Sequence, residues 1–129
     1  MVSQGLRGLY AVTPTGLPVV DLRGRVAAAL QGGAVLVQYR DKSRNDDRRA
    51  EIARALLYLC RQAGARFVIN DDLALALAIT ADGVHLGAAD GDLRAARQAL
   101  GPGALLGASC YADFERARAA VAAGADYVA

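Results

Sequence analysis

RFVINDDLALALAITADGVHLGAAD, residues 66–90, decides how this chain folds. Its apolar run Phe67-Val68-Ile69 fits a buried strand, and Asn70-Asp71-Asp72 makes a polar corner. An alanine–leucine helix is expected over residues 73–79. Val84-His85-Leu86 is a second strand ending in Gly87, and a second carboxylate, Asp90, stands where the next helix begins. The unit is strand–helix–strand, with an acidic group just past the end of each strand. Ligands of parallel α/β proteins bind outside the carboxyl ends of the strands, so these polar ends define a candidate site.

The same unit recurs on both sides. Residues 8–13, GLYAVT, read as a first strand, and Pro14 and Pro18 mark a loop. Asp21 is placed to cap a helix reaching about residue 31, with Leu22, Val26 and Leu30 on one face. A strand over 34–40 and a polar loop over 43–47 follow, then a helix over about 46–63 with Ile52, Leu56 and Leu59 inward. Beyond residue 90 a helix is expected over about 92–100, a strand over 104–109, a helix over about 112–123 and a strand starting at Asp126. Gly33-Ala34, Gly64-Ala65, Gly103-Ala104 and Gly124-Ala125 each follow a helix and precede a strand, and Asp82-Gly83 holds the same place before Val84. Strict alternation implies right-handed crossovers and a parallel sheet. Short strands in a regular repeat favour a barrel of strand–helix pairs. A complete barrel takes eight pairs and roughly 200 residues or more, so the 129 residues are either part of a barrel or an open sheet built like one.

Composition narrows the function classes. A length of 129 residues suits one domain, and 54% hydrophobic residues suffice for a core. The net charge of +2, with no basic run interleaved with aromatics, gives no footprint for nucleic acid. Cys60 and Cys110 form no CxxC or Cys/His metal pattern and are expected to be free thiols, as in a cytoplasmic protein. No apolar run approaches the ~18 residues of a membrane helix, and the N-terminus carries no apolar signal segment.

The end of the second strand reads Gln38-Tyr39-Arg40-Asp41-Lys42. Period two puts Gln38, Arg40 and Lys42 on one side above Leu36, and turns Val35, Val37 and Tyr39 toward helices. Arg and Lys together suit a diphosphate, because Arg grips two oxygens at once and Lys acts as a movable point charge; the plainer alternative is a solvated strand end. Asp71 and Asp90 lean over the same mouth. Two carboxylates completed by waters and phosphate oxygens are how Mg²⁺ is usually held, whereas Asp is also a good helix cap. Asp72 and Asp92 look more like cap or first-turn residues. His85 reads as a core or supporting histidine, Ser109 as a hydrogen-bonding group with no His–Asp partner, and Arg44, Arg48 and Arg49 as a solvated loop and helix face.

LYAVTP (9–14), VQYRDK (37–42), INDD (69–72), ADGVHLGAAD (81–90), LLGASC (105–110) and GADYV (124–128), in this order and spacing, closely resemble the thiamine-phosphate synthase family. That resemblance implies a (β/α)8 TIM barrel, of which residues 1–129 form one domain with the first five to six strand–helix units. It implies a Mg²⁺-dependent transferase that joins hydroxymethylpyrimidine diphosphate to thiazole phosphate and releases pyrophosphate. Position by position it implies pyrimidine-diphosphate binding by Gln38, Arg40, Lys42 and Asn70, substrate contact by Ser109, and metal binding by Asp71 and Asp90. Arg40 and Lys42 are then the catalytic cations, assisting departure of the diphosphate.

The family's thiazole-phosphate loops and a further diphosphate-binding lysine lie beyond position 129. These 129 residues alone are therefore expected to lack turnover and to form homo-oligomers through unpaired sheet edges. The expected partners are small-molecule substrates, with no nucleic acid or membrane. Two rival readings are a thiazole tautomerase-like relative, which does not need the full metal pair, and a non-catalytic fragment that binds substrate or only self-associates.

Overall fold

Among residues 6–129, which the computed structural model describes, six strands alternate with five helices. The strands are β1 (Leu9–Val12), β2 (Ala34–Tyr39), β3 (Arg66–Asn70), β4 (Gly83–Leu86), β5 (Leu105–Ala108) and β6 (Tyr127–Val128). The helices are α1 (Val19–Gln31), α2 (Asp46–Ala63), α3 (Leu73–Ile79), α4 (Leu93–Leu100) and α5 (Phe114–Ala122). The expected lack of an apolar N-terminal segment falls partly on residues 1–5, outside the described residues. No described helix is long and apolar enough to cross a membrane.

All five strand pairs are parallel, and spatial order equals chain order, β1 to β6. The sheet is curled. The hydroxyls of Tyr10 on β1 and Tyr127 on β6 lie 2.5 Å apart, whereas a flat sheet would hold six strands' outer members about 24 Å apart, at about 4.8 Å per step. These are consecutive units of a (β/α) barrel wall.

Period two sorts the strand residues. Val37, Tyr39, Phe67, Ile69, Val84, Leu86 and Leu106 pack against Leu22, Val26, Ile52, Leu56 and Cys60 from the helices. Leu36, Val68 and Leu105 meet on the concave face with Leu6 and Tyr10. The larger core thus lies between sheet and helices, and the concave face turns polar toward the strand ends. Val35 departs from expectation. The β1–β2 register slips between Leu9 and Tyr10, which leaves Val35 39% exposed beside Gly8 rather than under a helix.

Local chemistry sets the helix ends. Asn45, Asp72, Asp92 and Asp113 each accept a hydrogen bond from a first-turn N–H of α2, α3, α4 and α5. Asp21 is not a cap: α1 begins at Val19 behind Pro18, and Asp21 sits in its first turn, where a carboxylate still favours the positive end of the helix dipole.

Among the described residues, β1 pairs only with β2, and β6 only with β5. Leu9, Val12 and Val128 on these two edges are 58%, 51% and 40% exposed. Apolar edges with free backbone groups recruit other chains. Sedimentation velocity should therefore show self-association that grows with concentration; a concentration-independent monomer would contradict this.

Candidate functional site

The β1–α1 loop shapes the end of β2. Thr13 N–H donates to Gln38 O (2.9 Å), and Arg40 N–H donates to Thr13 Oγ1 (3.0 Å). Thr15 Oγ1 accepts from Lys42 N–H at 3.1 Å. These bonds hold the backbone of residues 38–42 at the carboxyl ends of the strands. Gln38 is buried and turned into the concave face, where its Nε2 donates to Tyr10 Oη at 2.7 Å. Arg40 is exposed, and among the described residues its guanidinium makes no ion pair. The Lys42 ammonium instead donates to Asp71 Oδ2.

Asp71 follows β3 in a left-handed conformation, φ 67°, pinned by its N–H on His85 O at 2.8 Å. Such a φ is uncommon outside glycine, although Asp and Asn tolerate it best. It swings the carboxylate off the strand axis toward Lys42. Asp90 is set differently. Its Oδ2 accepts the Gly87 N–H at 2.8 Å, and a Cβ at position 87 would lie 2.6 Å from that oxygen, so glycine is required for the approach.

The two carboxylates sense each other. Burial acts to raise Asp71, but Lys42 and neighbouring hydrogen bonds outweigh it and hold the carboxyl below its ordinary value. Burial, and then the neighbouring Asp71 carboxyl group, push Asp90 above its ordinary value, although the Gly87 N–H acts in the opposite sense. Like charges held together resist full ionisation, and a hard cation relieves that repulsion. The donor set therefore fits Mg²⁺, with the Lys42 ammonium taking a cation's place against Asp71. Neither residue is a helix cap, since Asp72 and Asp92 do that work.

Below this mouth a polar chain crosses the concave face. From Gln38 it runs through Tyr10 and Tyr127 to His85 Nδ1, 3.0 Å from Tyr127 Oη, and from His85 Nε2 to Ser109 Oγ at 2.8 Å. Gly107 makes room for it: a Cβ there would fall 2.1 Å from the Tyr127 ring. Asn70 is buried at the end of β3, where β4 pairs it with His85.

Ser109 pairs with His85, whose other partner is a phenol, so no His–Asp partner serves it among the described residues. Two expectations are corrected. The Arg49 side chain, 13% exposed, reaches Asp72 at 3.1 Å. Arg48 donates to Leu17 O at 2.9 Å and lies 3.6 Å from Asp41. Both arginines tie the loops beside the mouth together rather than facing solvent. Tyr10, Thr13, Thr15 and Tyr127 were not singled out from sequence. The available signal was a hydroxyl-bearing aromatic in each edge strand of a chain with an aromatic share of only 5%.

Comparison with known proteins agrees with this fold. The family model described as thiamine monophosphate synthase matches residues 9–129. The thiamine-phosphate synthase of Chromobacterium violaceum is 58% identical over 124 residues, which are 96% of this chain and 60% of that protein. That of Aromatoleum aromaticum is 55% identical over the same shares. A solved thiamine phosphate pyrophosphorylase from Pyrococcus furiosus superposes with a TM-score of 0.80 at 35% identity, covering 92% of this chain and 57% of its own. The chain thus spans about 60% of the length of these curated relatives. With the barrel wall and the family match in agreement over residues 9–129, this chain belongs to the thiamine monophosphate synthase family.

Proposed function

We propose that this chain carries the pyrimidine-diphosphate and Mg²⁺ half of a thiamine-phosphate synthase site, in a protein that condenses 4-amino-2-methyl-5-hydroxymethylpyrimidine diphosphate with thiazole phosphate to give thiamine phosphate and pyrophosphate. One observation carries it: the Lys42 ammonium pairs with Asp71, and the Asp71 and Asp90 carboxyl groups influence each other, at the strand ends where Arg40 is exposed and Gln38 and Asn70 are buried. The names of the relatives support the same activity.

In the substitution, the bond between the pyrimidine methylene and the diphosphate oxygen breaks, and its electron pair leaves with pyrophosphate. The thiazole nitrogen then forms the new C–N bond. Stabilising the departing polyanion is the main task of the site. Arg40, without an ion pair among the described residues, offers a forked guanidinium for two phosphate oxygens. Lys42 can exchange its carboxylate partner for a phosphate oxygen as charge develops. Asp71 and Asp90 would hold Mg²⁺, which when bound neutralises diphosphate charge. Gln38, Asn70 and Ser109 bind and orient the pyrimidine ring. No residue here need act as a base for the substitution itself. The buried free thiols Cys60 and Cys110 support a reducing, cytoplasmic setting.

Calorimetric titration of this chain with the pyrimidine diphosphate, with Mg²⁺ and with excess chelator, tests the assignment. Binding is expected only with Mg²⁺. Metal-independent binding, or none under either condition, would refute it.

A further inference from the structure

We infer that Gln38, Tyr10, Tyr127 and His85 form a one-way chain of hydrogen bonds that holds His85 as its Nε2–H tautomer and leaves Ser109 as a hydrogen-bond donor toward the ligand. Tyr10 and Tyr127 are its positioning residues. The consequence for the ligand rests on the proposed function; the tautomer itself does not.

The direction follows from counting protons. The Gln38 amide nitrogen only donates, so Tyr10 Oη accepts at 2.7 Å. The single proton of Tyr10 is then free for Tyr127 Oη, 2.5 Å away. Tyr127, having accepted, gives its own proton to His85 Nδ1 at 3.0 Å. A neutral imidazole that accepts at Nδ1 carries its proton on Nε2, and Nε2 donates to Ser109 Oγ at 2.8 Å. The Ser109 proton is left over and turns to the ligand. The reverse order would leave the Tyr10 proton without an acceptor in a half-buried place, at the cost of an unmade hydrogen bond.

Placement supports a neutral ring. His85 is 6% exposed. Gly107 lets the Tyr127 ring lie against β5 within reach of Nδ1.

Two functional consequences follow. With its proton on Nε2, His85 cannot take the Ser109 proton, so the Ser109–His85 pair is not a nucleophile and its base. A Ser109 that donates selects a ligand presenting an acceptor atom, such as an unprotonated ring nitrogen, and disfavours a ring N–H at that position.

His85 is the only histidine, so long-range ¹H–¹⁵N spectra of the labelled chain contain one imidazole. The expected wild-type result is a pyridine-like Nδ1 and a pyrrole-like Nε2. Gln38→Glu, read in mildly alkaline buffer, replaces the donor with a carboxylate that only accepts. Every bond should then reverse, and the tautomer should invert to Nδ1–H. In a Tyr127→Phe background the same Gln38→Glu change should leave the imidazole where Tyr127→Phe alone puts it. An Nδ1–H imidazole in the wild-type chain overturns the inference. So does a Gln38→Glu chain that keeps Nε2–H, or an inversion that persists without the Tyr127 hydroxyl. These readouts need no ligand, so they stand or fall separately from diphosphate binding.

Discussion

Asp71→Asn is expected to weaken Mg²⁺-dependent binding of the pyrimidine diphosphate strongly while the chain keeps its fold. Loss of outer partners of a metal typically costs roughly 10–100-fold in affinity, so removing one of two charged ligands should cost roughly 100-fold or more. The substitution suits the question because of the backbone. Asp71 sits at φ 67°, and its N–H is held by His85 O. Asn tolerates the left-handed region as Asp does, so charge is removed without adding strain. The amide oxygen can still accept from Lys42, which keeps the loop in place. Titrating Mg²⁺ at fixed pyrimidine diphosphate reads the metal, and a thermal melt beside it reads the fold. An unchanged titration would return Asp71 to a structural role as the partner of Lys42. Asp90→Asn should weaken the metal similarly while keeping an acceptor for the Gly87 N–H.

Arg40→Lys is expected to weaken diphosphate binding about as much as Arg40→Ala. Charge alone does not rescue, because the forked donor geometry is lost. Hydrogen bonds to charged groups contribute roughly 1.5–3 kcal/mol, which corresponds to about 10- to 150-fold in affinity at about 1.4 kcal/mol per decade. Among the described residues Arg40 makes no ion pair that its removal would orphan, so folding should be untouched. Affinities for pyrophosphate and for the unphosphorylated pyrimidine alcohol should be measured side by side. Only pyrophosphate should weaken. Equal weakening of both would mean that Arg40 shapes the pocket and does not recognise phosphate.

The order of strands and helices is a local property, and it was legible in the sequence. Alternation in VINDD and VHL, helical spacing of Ile52, Leu56 and Leu59, and Gly-Ala at each helix-to-strand turn specify segments with little help from distant contacts. Period two also placed Gln38 inward and Val37 and Tyr39 against the helices, because side-chain direction on a strand follows position. Val35 broke that rule since a register slip depends on how β1 meets β2, a pairing neither segment encodes alone. The division of labour among neighbouring aspartates was half legible. Composition allowed Asp71 and Asp72, or Asp90 and Asp92, to exchange roles. Only the loop backbone, with Asp71 left-handed and the Asp90 side chain accepting from Gly87, decides which caps and which faces the mouth. Tertiary structure alone joined Tyr10 to Tyr127 and His85 to Ser109. Tyr10 and Tyr127 meet because curling the sheet brings its two edges together across the concave face, and His85 meets Ser109 because β4 and β5 pair side by side. Chain order thus determined the elements and the candidate ligands, whereas the pairing and curling of the sheet determined which polar groups share protons.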